Sequence, residues 1–147
     1  MNLDKRIALL SDEEGIGLLQ RFSNAQAKRP VPAALDASVA KQMHEELELS
    51  RERSTAASDG EVARAALRLV ASDPAHEAGI EALLDHPQGE KFVMVETAAV
   101  VSAALIALQT HVRFERDKQG QWTAKIEKKP TDSSLLKDLV KKLLSFS

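Results

Sequence analysis

The stretch HVRFERDKQGQWTAKIEKK, residues 111–129, decides how the rest of the chain is read. Both of its halves alternate apolar and polar residues, the two-residue period of a half-buried strand. Val112 and Phe114 share one face of the first half, and Trp122, Ala124 and Ile126 share one face of the second. Lys118-Gln119-Gly120 fits a three-residue hairpin loop with Gly120 in the left-handed position. That loop sets Val112 opposite Ile126, Phe114 opposite Ala124, and Arg116 opposite Trp122. All the apolar side chains then fall on one face, and a slip of one residue would scatter them. Turn chemistry and hydrophobic register therefore agree on a two-stranded antiparallel hairpin. A lone hairpin is marginal in water, so its apolar face needs a cover.

The sequence offers a cover just downstream. Leu135, Leu136, Leu139, Val140, Leu143 and Leu144 form one continuous helical stripe. Lys137, Lys141 and Lys142 occupy the rest of that helix and complement the negative end of its dipole. The stripe is expected either to pack on the hairpin or to receive a partner helix. Trp122 is the only Trp; with Arg116 opposite, it is either core covered by the last helix with Arg116 stacked on it, or an interface anchor. Trp122, Arg116, Leu139, Leu143 and Lys141 are accordingly the candidate binding residues, and there is no candidate catalytic or metal residue set.

Upstream of residue 111 the pattern is helical throughout. Residues 3–28 read as one helix, with Ser11 and Glu14 at capping-box spacing and Ile16, Leu19 and Phe22 along one stripe. Lys28-Arg29-Pro30-Val31-Pro32 ends it. A second helix is expected over 33–53 on Leu35, Val39, Met43 and Leu47. Ser58 and Glu61 repeat the capping-box spacing before a third, to about residue 71, with Val62, Ala66, Leu69 and Val70 inward. Asp73-Pro74 pairs an N-cap acid with proline at the first helical position, so a short helix carrying Ile80, Leu83 and Leu84 follows. Residues 92–108 are the most apolar of all, with only Glu96, Thr97 and Ser102 polar, and are expected to form the central helix, flanked by those of 33–53 and 61–71. The start of that run, Phe92-Val93-Met94-Val95, also reads as a short strand. The expected fold is mainly α: a bundle of five or six helices, the hairpin at 111–129 and a C-terminal amphipathic helix, in a single domain over 1–147.

Composition narrows the function. The 147 residues carry a net charge of -2, and 44% are hydrophobic and 29% charged, ordinary values for a globular chain. Aromatic residues make up only 3%, with no Tyr, so the core must be built from Leu, Ala, Val and Ile. The absence of Cys removes disulfides, thiolate metal sites and thiol catalysis, and suits the cytoplasm. The apolar run Ile7–Leu10 is far shorter than the roughly 7–15 residues of a secretory signal core. The small net charge and scarce aromatics argue against nucleic acid. The charge is uneven. Residues 111–147 hold nine Lys/Arg against five Asp/Glu, whereas 1–110 hold eleven against seventeen. A basic C-terminal section on an acidic body is either ordinary solvated surface or suited to contact with the chain's own body, a second copy or an acidic partner.

Motifs for chemistry are lacking. None of His44, His76, His86 and His111 forms an H-E-x-x-H pair. Asp73, His76, Glu77, Asp85 and His86 cluster at the two ends of one short helix, about 15 Å apart, too far to share an ion. Gly15-Ile16-Gly17 starts like a dinucleotide loop, but Gln20 stands where the third glycine belongs. Neither a metal nor an organic cofactor is expected. Glu96, inside the most apolar segment, is the acid around which an alternative reading turns. Buried there and facing a histidine, it would mark a ligand-binding or enzymatic site. A third reading places the 92–108 helix in a membrane, against which its length and Glu96 both weigh.

The order of the last third, ALIALQT, then HVRFERDKQGQWTAKIEKKP, then SSLLKDLVKKLL, resembles small helical accessory proteins of bacterial conflict and defence operons, which assist a larger effector. The resemblance covers about 55 residues and implies no catalytic residue. It implies a non-enzymatic adaptor, inhibitor or immunity-type module. Together with the lack of a catalytic constellation and the uneven charge, it favours another protein, or a second copy of this chain, as the partner; composition argues against nucleic acid, and the length of the 92–108 run and Glu96 weigh against a membrane.

Overall fold

The structure is a computed structural model and describes residues 2–26, 37–47, 57–85, 97–126 and 133–144. The described elements run α1 (Leu3–Ala8), α2 (Asp12–Gln26), α3 (Ala37–Leu47), α4 (Asp59–Ala71), α5 (Pro74–Asp85), α6 (Thr97–Leu108), β1 (Val112–Arg116), β2 (Trp122–Ile126) and α7 (Ser133–Leu144). The fold is mainly helical with one two-stranded antiparallel sheet, as the periodicities require.

The caps sit where the sequence puts them. Ser58 Oγ accepts from the Glu61 backbone N–H while the Glu61 carboxylate accepts from the Ser58 N–H, which starts α4. Asp73 accepts from the Ala75 N–H at 3.0 Å and opens α5 ahead of Pro74. The Ser11–Glu14 box is also made, at 3.1 Å in both directions. It divides the expected first helix in two, because an N-cap residue is itself non-helical. α1 stops at Ala8, the chain turns through Leu9 and Leu10, and α2 begins at Asp12. Arg64 of α4 holds this joint: its Nη1 donates to Leu10 O at 3.2 Å and to Asp12 Oδ1 at 2.7 Å.

Two expectations about packing change. α4, rather than α6, is the hub, lying against α1, α2, α5, α6 and α7. It is buried on nearly every side, and Gly60, Ala63, Ala65 and Ala66 keep it slim enough for neighbours all round. α6 is more apolar, yet Ala98 and Ala99 are exposed and Val101 and Ile106 only half-buried. Hydrophobicity measures how well a helix tolerates burial, whereas small side chains decide how many helices can approach it. The second change concerns the hairpin. α3 packs on β2, while α7 lays Leu136, Leu139, Val140 and Leu143 chiefly against α4. The C-terminal stripe is thus satisfied inside the bundle.

The core joins α1, through Leu3 and Ile7, to Leu19 and Phe22 of α2, Val39 and Met43 of α3, and Val112, Phe114 and Ala124 of the hairpin. Residues 92–96, with the strand-or-helix question and Glu96, lie outside the described residues. So do His86, Leu35 and the Pro30–Pro32 break. Among the described residues no helix is long and apolar enough to cross a membrane.

Candidate functional site: the hairpin

The hairpin register is the one the sequence implies: Val112 faces Ile126, Phe114 faces Ala124, and Arg116 faces Trp122. Gly120 has φ +81°, the left-handed region that a side chain disfavours. Asp117 organises the loop. Its Oδ1 accepts from the backbone N–H of Gln119 at 2.9 Å and of Gln121 at 2.8 Å. Its own N–H donates to Gln121 O at 2.8 Å.

The two hairpin faces differ sharply. Val112, Phe114 and Ala124 are buried toward the bundle. Gln42 of α3 reaches the outer side of β2, where its Oε1 accepts from the Ala124 N–H at 2.8 Å. That bond closes an edge donor which the β1–β2 ladder leaves pointing away from β1. The other face, with Arg113, Glu115, Thr123 and Lys125, is exposed. Over it lies a depression of about 370 Å³, lined by those four residues with Ala124 and Gln42. Arg113 pairs with Glu115 along the strand at 2.7 Å.

At the loop end, Trp122 is half-buried and packs on the edge of the core. The Arg116 guanidinium lies 5.7 Å from the centre of its ring, within cation–π range. Arg116 Nε also donates to Gly120 O at 3.1 Å, which ties the stacked side chain back to the loop. Leu139 and Leu143 are 0% and 2% exposed and belong to the core, so in this conformation they form no surface. Lys141 is half-buried on α7. Of the five candidate residues, the structure brings Trp122 and Arg116 together at the loop end of the hairpin and places Leu139 and Leu143 together in the core.

Two of the histidines have local structural partners. His76 meets Phe22 edge-on, with ring centres 5.8 Å apart. His111 is buried, and its Nδ1 lies 2.7 Å from Thr110 Oγ1. The Thr110 Oγ1 also lies 2.8 Å from Ala107 O, so one hydroxyl joins the end of α6 to the buried His111 ring. Among the described residues no group of three or more His, Cys, Asp or Glu is placed to hold a metal ion. A smaller hollow of about 140 Å³ between α1, α4 and α7 is lined by Glu61, Arg64, Arg68, Asp138 and Lys142. Its cations are engaged: Arg64 with Asp12, Arg68 with Asp4, and Lys142 with Asp138.

Sequence reasoning missed Gln42, Arg113 and Lys125. The strand alternation that turned Val112 and Phe114 inward also turned Arg113 and Lys125 outward, so those two were legible. Gln42 was not, because nothing local to α3 shows that it meets a strand 82 residues away. No protein-family model, curated protein or solved structure matches this chain.

Proposed function

We propose that the protein is a non-enzymatic protein-interaction module, with the hairpin as its contact surface and another protein as its partner. The Trp122–Arg116 pair carries this reading. Trp and Arg are the residue types most enriched at interface hot spots. Here they are stacked, tied to a hydrogen-bonded loop and still partly open to solvent. A pre-ordered anchor loses less side-chain entropy on binding than a mobile one. The basic excess of residues 111–147 adds electrostatic attraction for an acidic partner. The resemblance to accessory proteins of defence operons supports an adaptor, inhibitor or immunity-type role, and the Cys-free composition supports the cytoplasm as its place of action.

The test is affinity capture of the tagged protein from its native lysate, with mass spectrometry of the bound fraction. One stoichiometric partner, lost with Trp122→Ala or Arg116→Ala while circular dichroism stays native, is the expected result. Full partner affinity in both folded variants would show that the hairpin tip is not the contact.

A further inference from the structure

We propose that the depression over the outer face of the hairpin binds the carboxylates of an acidic protein segment, an inference that rests on the interaction-module reading and names the chemistry of its partner. The local charge arrangement is unfavourable. Arg113 and Lys125 are direct cross-strand partners. Such residues stand about 5 Å apart, and like charges placed so destabilise a sheet. Glu115 neutralises Arg113 at 2.7 Å, but across from Glu115 stands Thr123, and among the described residues no acid pairs with Lys125. Among the described residues the face therefore keeps one positive charge without an acidic partner.

The shape is suited to a chain segment. Both strands and α3 contribute to the lining of the depression, α3 through Gln42. At about 370 Å³ it accepts one or two side chains rather than a large cofactor. Thr123 Oγ1 donates to Glu115 O at 3.3 Å, a long bond that is easily exchanged for a ligand oxygen. The Arg113–Glu115 pair is more than half exposed on both partners, so a ligand carboxylate displaces Glu115 at little cost. Exposure also decides between ligands. A single small anion on so open a surface gains little, since solvent screens each contact. Neighbouring carboxylates on one segment can meet Arg113 and Lys125 together and add their small gains across the two strands.

The experiment titrates a hexaglutamate peptide into the isotope-labelled full chain at low ionic strength and follows backbone and side-chain amide shifts. Shifts should centre on Arg113, Glu115, Thr123, Lys125 and the Gln42 amide. Lys125→Ala should weaken binding up to about fivefold, the range of one exposed ion pair, and Lys125→Glu by more than about tenfold. Lys118→Ala, in the loop, should leave affinity within about twofold. Unchanged affinity in folded Lys125→Glu, or shifts centred on Arg64, Arg68 and Lys142, would overturn the proposal. The same shifts with inorganic phosphate at equal concentration would make the face a general anion surface and overturn it too. Concentration-dependent shifts of these residues without peptide would assign the face to a second copy, with the same consequence. If Lys125→Glu leaves partner capture intact while Trp122→Ala abolishes it, the module reading stands and this one falls.

Discussion

One substitution, glycine to alanine, should have opposite effects at two positions. Gly60 lies in the first turn of α4, where α2 crosses it, and a Cβ there would overlap the Asp12 side chain as far as its own Cβ. The Asp12 carboxylate can rotate away, but its Cβ is fixed to the α2 backbone, so the two helices would have to separate. Overpacking of this kind costs about 1–3 kcal/mol. Rotating Asp12 also breaks its pair with Arg64, worth about 1 kcal/mol or less at such exposure. The gain in helix propensity, about 1 kcal/mol, offsets part of this. Gly60→Ala should therefore destabilise by about 1–3 kcal/mol, or lower Tm by several degrees in a chain of this size. Gly17, inside α2, would carry a methyl group that meets nothing within 4 Å beyond its chain neighbours and its own helix backbone, so Gly17→Ala should stabilise by about 0.5–1 kcal/mol. Urea unfolding followed by circular dichroism measures both. Gly60→Ala at or above wild-type stability would refute the close α2–α4 approach, and a destabilised Gly17→Ala would refute the open surface assigned to that position.

Three further outcomes rest on the packing. Leu139→Ala should cost about 2–5 kcal/mol, because Leu139 is fully buried, and Leu139→Asp should unfold the chain rather than weaken a folded complex; thermal melts distinguish the two. Gln42→Ala should leave the Ala124 N–H unpaired, cost about 1 kcal/mol and speed hydrogen exchange at Ala124 ahead of the rest of β2. Asp4→Asn, which weakens the charge pair to Arg68, should cost less than about 1 kcal/mol, and the loss should shrink further in high salt, read from denaturation at two ionic strengths.

The candidate surface was half legible in the sequence. Trp122 and Arg116 were paired by register alone, because strand alternation and turn length are local properties and together admit one alignment. Leu139 and Leu143 were misleading as surface residues for the same local reason. A leucine stripe shows that a helix must be covered, but not by what, and α4 supplies the cover. Gln42 gave no signal, since a polar residue on a helix reads as solvated until a strand edge is placed beside it.

The sequence by itself determined the identity of the elements: capping boxes at Ser11 and Ser58, the Asp73-Pro74 start, the Gly120 loop and the faces of each strand. These are set by bonds and dihedral preferences spanning a few residues. Only the tertiary structure decided which helix stands at the centre. The run of highest hydrophobicity was outranked by α4, whose glycine and alanines let α1, α2, α5, α6 and α7 all approach. It also decided that α3, not α7, closes the hairpin. Burying apolar area is favourable whichever partner does it, so hydrophobicity alone cannot choose between covers. The choice came from shape and from directed bonds such as Gln42 to Ala124, which exist only once distant parts of the chain have met.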